Sequence, residues 1–454
     1  MSNKALSRRD FLRSAAVFTA GAVLASCAPA ATTTQAPQTE EPKEAPTSAL
    51  KEAVTLSMWT HDNLYVQFFN KCGEVWKANY PQYDITFNFQ QLPDVFTKML
   101  ASLSAGEEVP DLFGLEQGAF GTYTKDDLIE DKFVDIAPMI LDERGKFVEN
   151  TWTKYTYKGK TYGVESALCT VGFYYQPAVL EKAGATELPK TWEEFMELGI
   201  KAAKNGIYLS ALESEGMSTF DMLFMQRGGK YFNQDSKFVF GESPNREMAL
   251  EVMNYLKSGM DNKVFWPAGG DFWGAGLMAA HKEGKVMGLP AADWWSDSLL
   301  KTNAADQSGN WRINLLPKWK GGGHASSVWG GTGFVITKAS KHVDLAWDLI
   351  HYTYMTKENQ LDRYFTIHYL PHMLEALDDP RFTGATDPYY GDQKIGLVWS
   401  EAAKDMPLYY QSPVRGDLNT ELGTQLTNMY AGTTTPDAAM DAVIAKVNQA
   451  IADL

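Results

Sequence analysis

The chain predicts an α/β fold, and three observations carry that reading. Residues 54–115 alternate strand-like apolar runs with helical patterns in a βαβαβ order, which calls for a parallel sheet covered by helices on both faces. At 454 residues and 44% hydrophobic, the chain builds a sizeable core and holds two or three domains' worth of structure. Further strand-like runs follow at 170–175, 311–317 and 328–337, with a second α/β stretch over about 205–300, and the C-terminal third reads as mostly helical.

The N-terminus sets the compartment. Ser7-Arg8-Arg9-Asp10-Phe11-Leu12-Arg13 precedes the uncharged stretch Ala15 to Ala25, which is shorter than the ~20 apolar residues a bilayer span needs. A basic start, a short apolar core and a small-residue exit describe a signal peptide over 1–26. The paired arginines resemble a twin-arginine export signal, with general secretion the alternative. Leu24-Ala25-Ser26-Cys27 resembles the bacterial lipobox, which implies a diacylglyceryl group on Cys27. Two acyl chains anchor stably where one anchors marginally. Residues 28–50 are rich in Ala, Pro, Thr, Gln and Glu and read as a disordered linker. Such a leash reaches roughly 70 Å extended and about 26 Å as a coil.

Charge excludes some partners. The formal net charge is −15, and without residues 1–26, where Lys4, Arg8, Arg9 and Arg13 outweigh Asp10, it becomes −18. So acidic a body disfavours nucleic acid and anionic lipid surfaces. Beyond Cys27, the cysteines are Cys72 and Cys169. Cys72 shares a helical apolar face with Leu64, Phe68, Phe69, Val75 and Trp76, and Cys169 lies in a strand-like run. Buried free thiols are the expectation.

Element by element, Val54 to Trp59 opens the folded part as a strand. A helix over about 63–79 stops at Pro81, and 84–90 alternates with Ile85, Phe87 and Phe89 on one face. A helix over about 94–105 ends at Gly106, and Asp111 to Leu115 is a short buried strand. Ligands of such sheets bind beyond the C-terminal strand ends. Those ends carry His61, Asp62 and Asn63, then Glu116 and Gln117. Tyr155 to Val164 reads as a hairpin turning at Lys158-Gly159, and Thr191 with Glu194 forms a capping box ahead of a helix. No catalytic constellation appears. Gly159-Lys160-Thr161 lacks the glycine a phosphate loop needs at 154. His368 and His372 are separated by Pro371, so no metal site is expected, nor any cofactor.

Three stretches stand out in order: Tyr162-Gly163-Val164-Glu165-Ser166-Ala167-Leu168 with Gly172-Phe173-Tyr174-Tyr175 and Pro189 to Phe195; Glu283-Gly284-Lys285-Val286-Met287-Gly288 leading to Trp294; and Leu316-Pro317, Gly330 to Ile336, Ala346-Trp347 and Met355 to Gln360. Together they are similar to the maltose-binding-protein-like family of extracellular solute-binding proteins. The resemblance covers nearly all of 52–454. It implies two α/β lobes, 51–164 plus 312–352 and 165–311 plus 353–454, joined by chain crossings near 164–168, 312–316 and 351–354. It also implies a solute, most simply a mono- or oligosaccharide, held between closing lobes and passed to the membrane permease of an ABC importer by a monomeric, lipid-anchored, extracytoplasmic protein.

Sugars present C–H faces and a hydroxyl rim, which suit aromatic rings and charged or amide groups respectively. Trp294 follows a strand end and coincides with a ligand-stacking tryptophan of the family; Glu165 coincides with a sugar-binding acid. Trp329 precedes Gly330 and Gly331, which allow close backbone approach. Asp293, Trp295, Trp273, Glu215, Tyr410 and Arg415 complete the candidates. No residue matches the family's C-terminal tryptophan, which leaves the sugar open. A polyamine, a peptide or a phosphodiester remains the alternative solute, and a secreted glycan-active enzyme the alternative class. A carboxylate-rich cleft without arginine would favour a cation, and a mixed, Trp-lined cleft a sugar.

Overall fold

The computed structural model describes residues 51–454; the signal sequence, Cys27 and the linker lie outside the described residues. Strand β1 (Glu52–Thr60) leads into helix α1 (Asn63–Trp76), β2 (Tyr83–Gln91), α2 (Val95–Ala105), β3 (Leu112–Glu116) and α3 (Gln117–Tyr123). Asp62 caps α1 by accepting from Leu64 N at 2.9 Å. The buried face of α1 is Tyr65, Phe68, Phe69, Cys72, Gly73 and Trp76. Val75, expected on that face, is 63% exposed. Gly73 takes the inward place because the Phe87 ring lies where a Cβ would stand, at 2.5 Å.

The chain then forms the hairpin Thr156–Tyr157 with Lys160–Thr161. Lys158 and Gly159 both have positive φ, 49° and 77°, as a two-residue hairpin turn demands. Strands β4 (Gly163–Glu165) and β5 (Val171–Tyr175) follow, then α4 (Trp192–Ala203), α5 (Asn245–Asp261), β6 (Gly288–Ala292), β7 (Arg312–Asn314) and β8 (Thr332–Ile336). The expected capping box of Thr191 and Glu194 is present at α4. The helical end comprises α6 (Val343–Tyr354), α7 (Lys357–Ile367), α8 (Ile395–Lys404), α9 (Arg415–Tyr430) and α10 (Pro436–Ala452).

Two sheets organise these elements. The first has the order β2-β1-β3-β8-β4, the second β6-β5-β7. In the first, β1 runs parallel to β2 and β3, as the alternating pattern requires, while β8 returns antiparallel to both β3 and β4. The second sheet is antiparallel throughout. Both faces of the first sheet are covered: Leu112 packs into the larger core cluster, Phe113 and Leu115 into a smaller one with Trp59, Tyr123 and Tyr155.

The chain passes between sheets after β4, at 166–170, and again after β7. The return expected at 312 comes later. Residues 312–314 pair with Phe173–Tyr175 and bury Ile313 against the second sheet, so the crossing runs from 315 to 331. A third passage lies between α6, which packs on α1 and β8, and α8, which packs on β5 and β7. Helix α9 then touches α3 again. Cys72 and Cys169 are free and buried. No helix among the described residues is long and apolar enough to cross a membrane.

Candidate functional site

The passages between sheets converge on a cavity of about 400 Å³, within the range of small-molecule sites. It opens beyond the C-terminal ends of β1 and β3, where His61, Asp62 and Glu116 stand, and faces Trp273 and Trp294 across a floor of Gly330, Gly331 and Thr332. Tyr65, Ala167, Cys169, Ser298, Leu299 and Tyr369 complete the lining.

Two indoles make one wall, with a third packed against them. Trp273 and Trp294 stack with centroids 5.8 Å apart and planes 12° from parallel. Trp329 lies 4.8 Å from the first and 4.9 Å from the second. Trp294 Nε1 donates to Trp329 O at 2.9 Å, and Trp273 Nε1 to Glu213 Oε1 at 3.4 Å. Trp273 is 43% exposed, so its face is available to a solute. The neighbouring Trp295 turns the other way. It is fully buried against Tyr174 and Trp311.

The floor needs its glycines. Gly330 and Gly331 have φ of 86° and 140°, and a Cβ on Gly331 would stand 2.9 Å from Glu165 Oε2 and from Lys154 Nζ. Directly beneath, Lys154 and Glu165 form a fully buried ion pair at 2.8 Å. The ammonium also donates to Leu168 O and Gly330 O, at 2.9 and 3.3 Å. Glu165 Oε1 accepts from Thr332 N at 3.1 Å and Ala167 N at 3.3 Å. Burial pushes the Glu165 carboxyl up; Lys154 and the two backbone N–H groups oppose it. Glu165 therefore lies behind the glycine floor, where it fixes the crossing strands.

The opposite wall is polar. Burial pushes the Glu116 carboxyl up to about 7, against donation from the N–H groups of Gly118 and Ala119; the Glu165 charge adds to the rise. Its Oε2 caps α3 by accepting from Gly118 N at 2.5 Å. Burial pulls the His61 imidazole below its usual value despite the charge of Asp62. Its Nδ1 has no hydrogen-bond partner among the described residues.

A short segment ties the two walls together. Tyr369 OH donates to Asp62 Oδ2 at 2.5 Å, and Leu370 N donates to Asp293 Oδ2 at 3.2 Å. Arg363 Nη2 donates to Leu370 O at 2.7 Å. Asp293 is buried behind Trp294, and burial pushes its carboxyl up to about 7.

The structure thus brings Trp273, Trp294, His61, Asp62, Glu116, Gly330 and Gly331 into the lining, with Trp329 against them. It places other candidates elsewhere. Asn63 is exposed on the first turn of α1. Gln117 is buried, its N donating to Gly331 O and its O accepting from Gln411. Glu215 is exposed beside Gly269. Arg415 is buried between Tyr231 and Tyr409 and paired with Asp221 at 3.3 Å, with Tyr410 beside it. Tyr65, Cys169, Ser298, Leu299, Thr332 and Tyr369 were absent from the sequence-derived set. Ser298 had a readable signal, since it lies one helical turn after Trp294 and its N donates to Trp294 O. Tyr369 had none, for its contact joins residues 307 apart in the chain.

Residues 66–388 match the family model of bacterial extracellular solute-binding proteins. An arabinooligosaccharide-binding protein of Bacillus subtilis is 30% identical over 308 residues, 67% of this chain and 70% of the relative. Another of that name, from Halalkalibacterium halodurans, is 23% identical over 75% of this chain and 76% of its own length. The solved structure of the sugar-binding protein MalE from Xanthomonas citri superposes with a TM-score of 0.73 at 16% identity, covering 88% of this chain and 98% of that one. The fold is therefore that of periplasmic binding proteins, two α/β lobes joined by several chain crossings, and the chain belongs to the bacterial extracellular solute-binding protein family.

Proposed function

We propose that this protein captures a carbohydrate, most simply a short oligosaccharide, in the cleft between its two sheets and delivers it to the permease of an ABC importer. One observation carries the reading: Trp273 and Trp294, backed by Trp329, line the same cavity as His61, Asp62 and Glu116. Flat indole faces suit the C–H surface of a sugar ring, and the opposing polar groups suit its hydroxyl rim. Sheet membership supports a first lobe over about 51–165 and 332–354, with the remainder forming the second. Hinge closure follows from contacts made only when both walls touch the solute. The solute leaves unchanged, in keeping with a family of binding proteins. The protein acts as a monomer, held outside the cytoplasmic membrane by lipid on Cys27; a Cys27→Ala variant still in washed membranes would refute the anchor.

A thermal-shift screen tests the main reading, since a ligand at 100 times its Kd adds about 2.7 kcal/mol. Arabino-, malto- and galacto-oligosaccharides are expected to include at least one that raises Tm. The reading fails if no sugar shifts the melt while a polyamine or peptide does. A cationic solute is the second reading, favoured by a lining that holds no Lys or Arg among the described residues.

A further inference from the structure

We infer, resting on the carbohydrate reading, that the cleft sorts glycans by charge: it admits neutral and amino sugars and rejects those bearing a carboxylate or sulfate, with Glu116 the main specificity-determining group. The argument begins with the ionisable side chains that face the cavity. They are the carboxyls of Asp62 and Glu116, the imidazole of His61, the phenols of Tyr65 and Tyr369 and the thiol of Cys169; among the described residues no lysine or arginine joins them.

The two buried cations nearby, Lys154 and Arg363, lie behind the lining. Lys154 is fully buried beneath Gly331, with Glu165, Leu168 O and Gly330 O taking its ammonium. Arg363 is fully buried and donates through Nη2 to Leu370 O, its Nε and Nη1 having no hydrogen-bond partner among the described residues. A solute anion entering this cleft would be desolvated beside two carboxyl groups without a counter-ion, the arrangement by which binding sites exclude a wrong ligand. Asp62 is held in place by Leu64 N and Tyr369 OH, so it cannot swing aside. Glu116 is held at the start of α3 by Gly118 N. An ammonium group gains instead, from these carboxyls and from the indole faces.

The test uses the full mature chain and matched probe sets in calorimetry at pH 7.5. Three neutral sugars, α-1,5-arabinotriose, maltotriose and β-1,6-galactobiose, are each paired with a derivative whose terminal hydroxymethyl is oxidised to a carboxylate and with one in which it becomes an aminomethyl. For every neutral sugar that binds, the carboxylate is expected to bind at least tenfold more weakly, and the amine at least as tightly. Glu116→Gln is expected to narrow the neutral-to-carboxylate ratio at least threefold. A carboxylate that binds within threefold of its neutral parent overturns the inference while leaving the carbohydrate reading intact. So does an unchanged ratio in Glu116→Gln. Failure of every neutral and amino sugar overturns both. The ligand series on the unaltered protein is decisive even if the variant fails to fold.

Discussion

Trp294 and Trp295 are adjacent in the chain but face opposite environments, so truncating each in turn separates binding from folding. In Trp294→Ala, a sugar loses one indole face. A ring covering roughly 60–80 Å² of that face at about 25 cal/mol per Å² accounts for about 1.5–2 kcal/mol. The bond from Trp294 Nε1 to Trp329 O also goes, which loosens the third indole and adds about 1 kcal/mol. The sum is a loss of about 2.5–3 kcal/mol, or roughly 70- to 150-fold in Kd. Trp294 is only partly buried, so the fold itself is expected to lose little. Trp295 is the reverse case. It is fully buried in the core of the second sheet, and removing it costs about 3–5 kcal/mol of stability, on the order of 5–10 °C in Tm. Calorimetric titration with the best sugar from the screen, alongside thermal melts, reads both quantities. Trp294→Ala binding as tightly as the parent would refute the site. Equal losses of affinity in the two variants would refute the assignment of separate roles.

Two further outcomes follow from the buried charges. Lys154→Met leaves Glu165 buried without its partner and is expected to lower stability by about 3–5 kcal/mol; the double variant Lys154→Met, Glu165→Gln is expected to recover part of that. Urea unfolding measures both, and a single variant as stable as the parent would show that the pair does not hold the crossing. Glu116 and Asp293 are pushed up to about 7 from ordinary values of 4.5 and 3.8. Between those limits the folded chain binds more protons than the unfolded one, so their contribution to stability falls as pH rises from about 4 to 7 and levels off above. At 1.36 kcal/mol per pH unit the loss is about 3–4 kcal/mol for each group. Glu116→Gln is expected to flatten this decline relative to the parent in melts taken across the range. Identical slopes would show that Glu116 ionises as it does in the unfolded chain.

Much of the scaffold was legible because its signals are local. Alternation at Ile85, Phe87 and Phe89, the capping pair Thr191 and Glu194, and the turn at Lys158-Gly159 each act within a few residues. The strand ends of β1 and β3 pointed to His61, Asp62 and Glu116, because a parallel sheet presents those ends to its ligand. Trp294 was legible from its place after a strand, and the glycines at 330 and 331 from their spacing. What stayed hidden was long-range. No pattern in Gln117 or Arg415 shows that the first would pair with Gln411 or the second settle between Tyr231 and Tyr409. Glu165 read as a binding acid because it coincides with a sugar-binding acid of the family. Its partner Lys154 stands eleven residues earlier, beyond a hairpin, and only the fold places that ammonium 2.8 Å away. The crossing at 312 was misplaced because a three-residue strand carries too little pattern to reveal which sheet it joins.

The bonds from Tyr369 to Asp62 and from Leu370 to Asp293 have an evolutionary consequence. Two adjacent residues, one through its phenol and one through its backbone N–H, link the capped strand end to the backing of the stacking wall. The calibre of the trap is therefore stored in a loop, outside either sheet. A lineage drifting toward bulkier or slimmer nutrients can retune it by inserting or deleting one residue there. The strands and their registers would be left untouched.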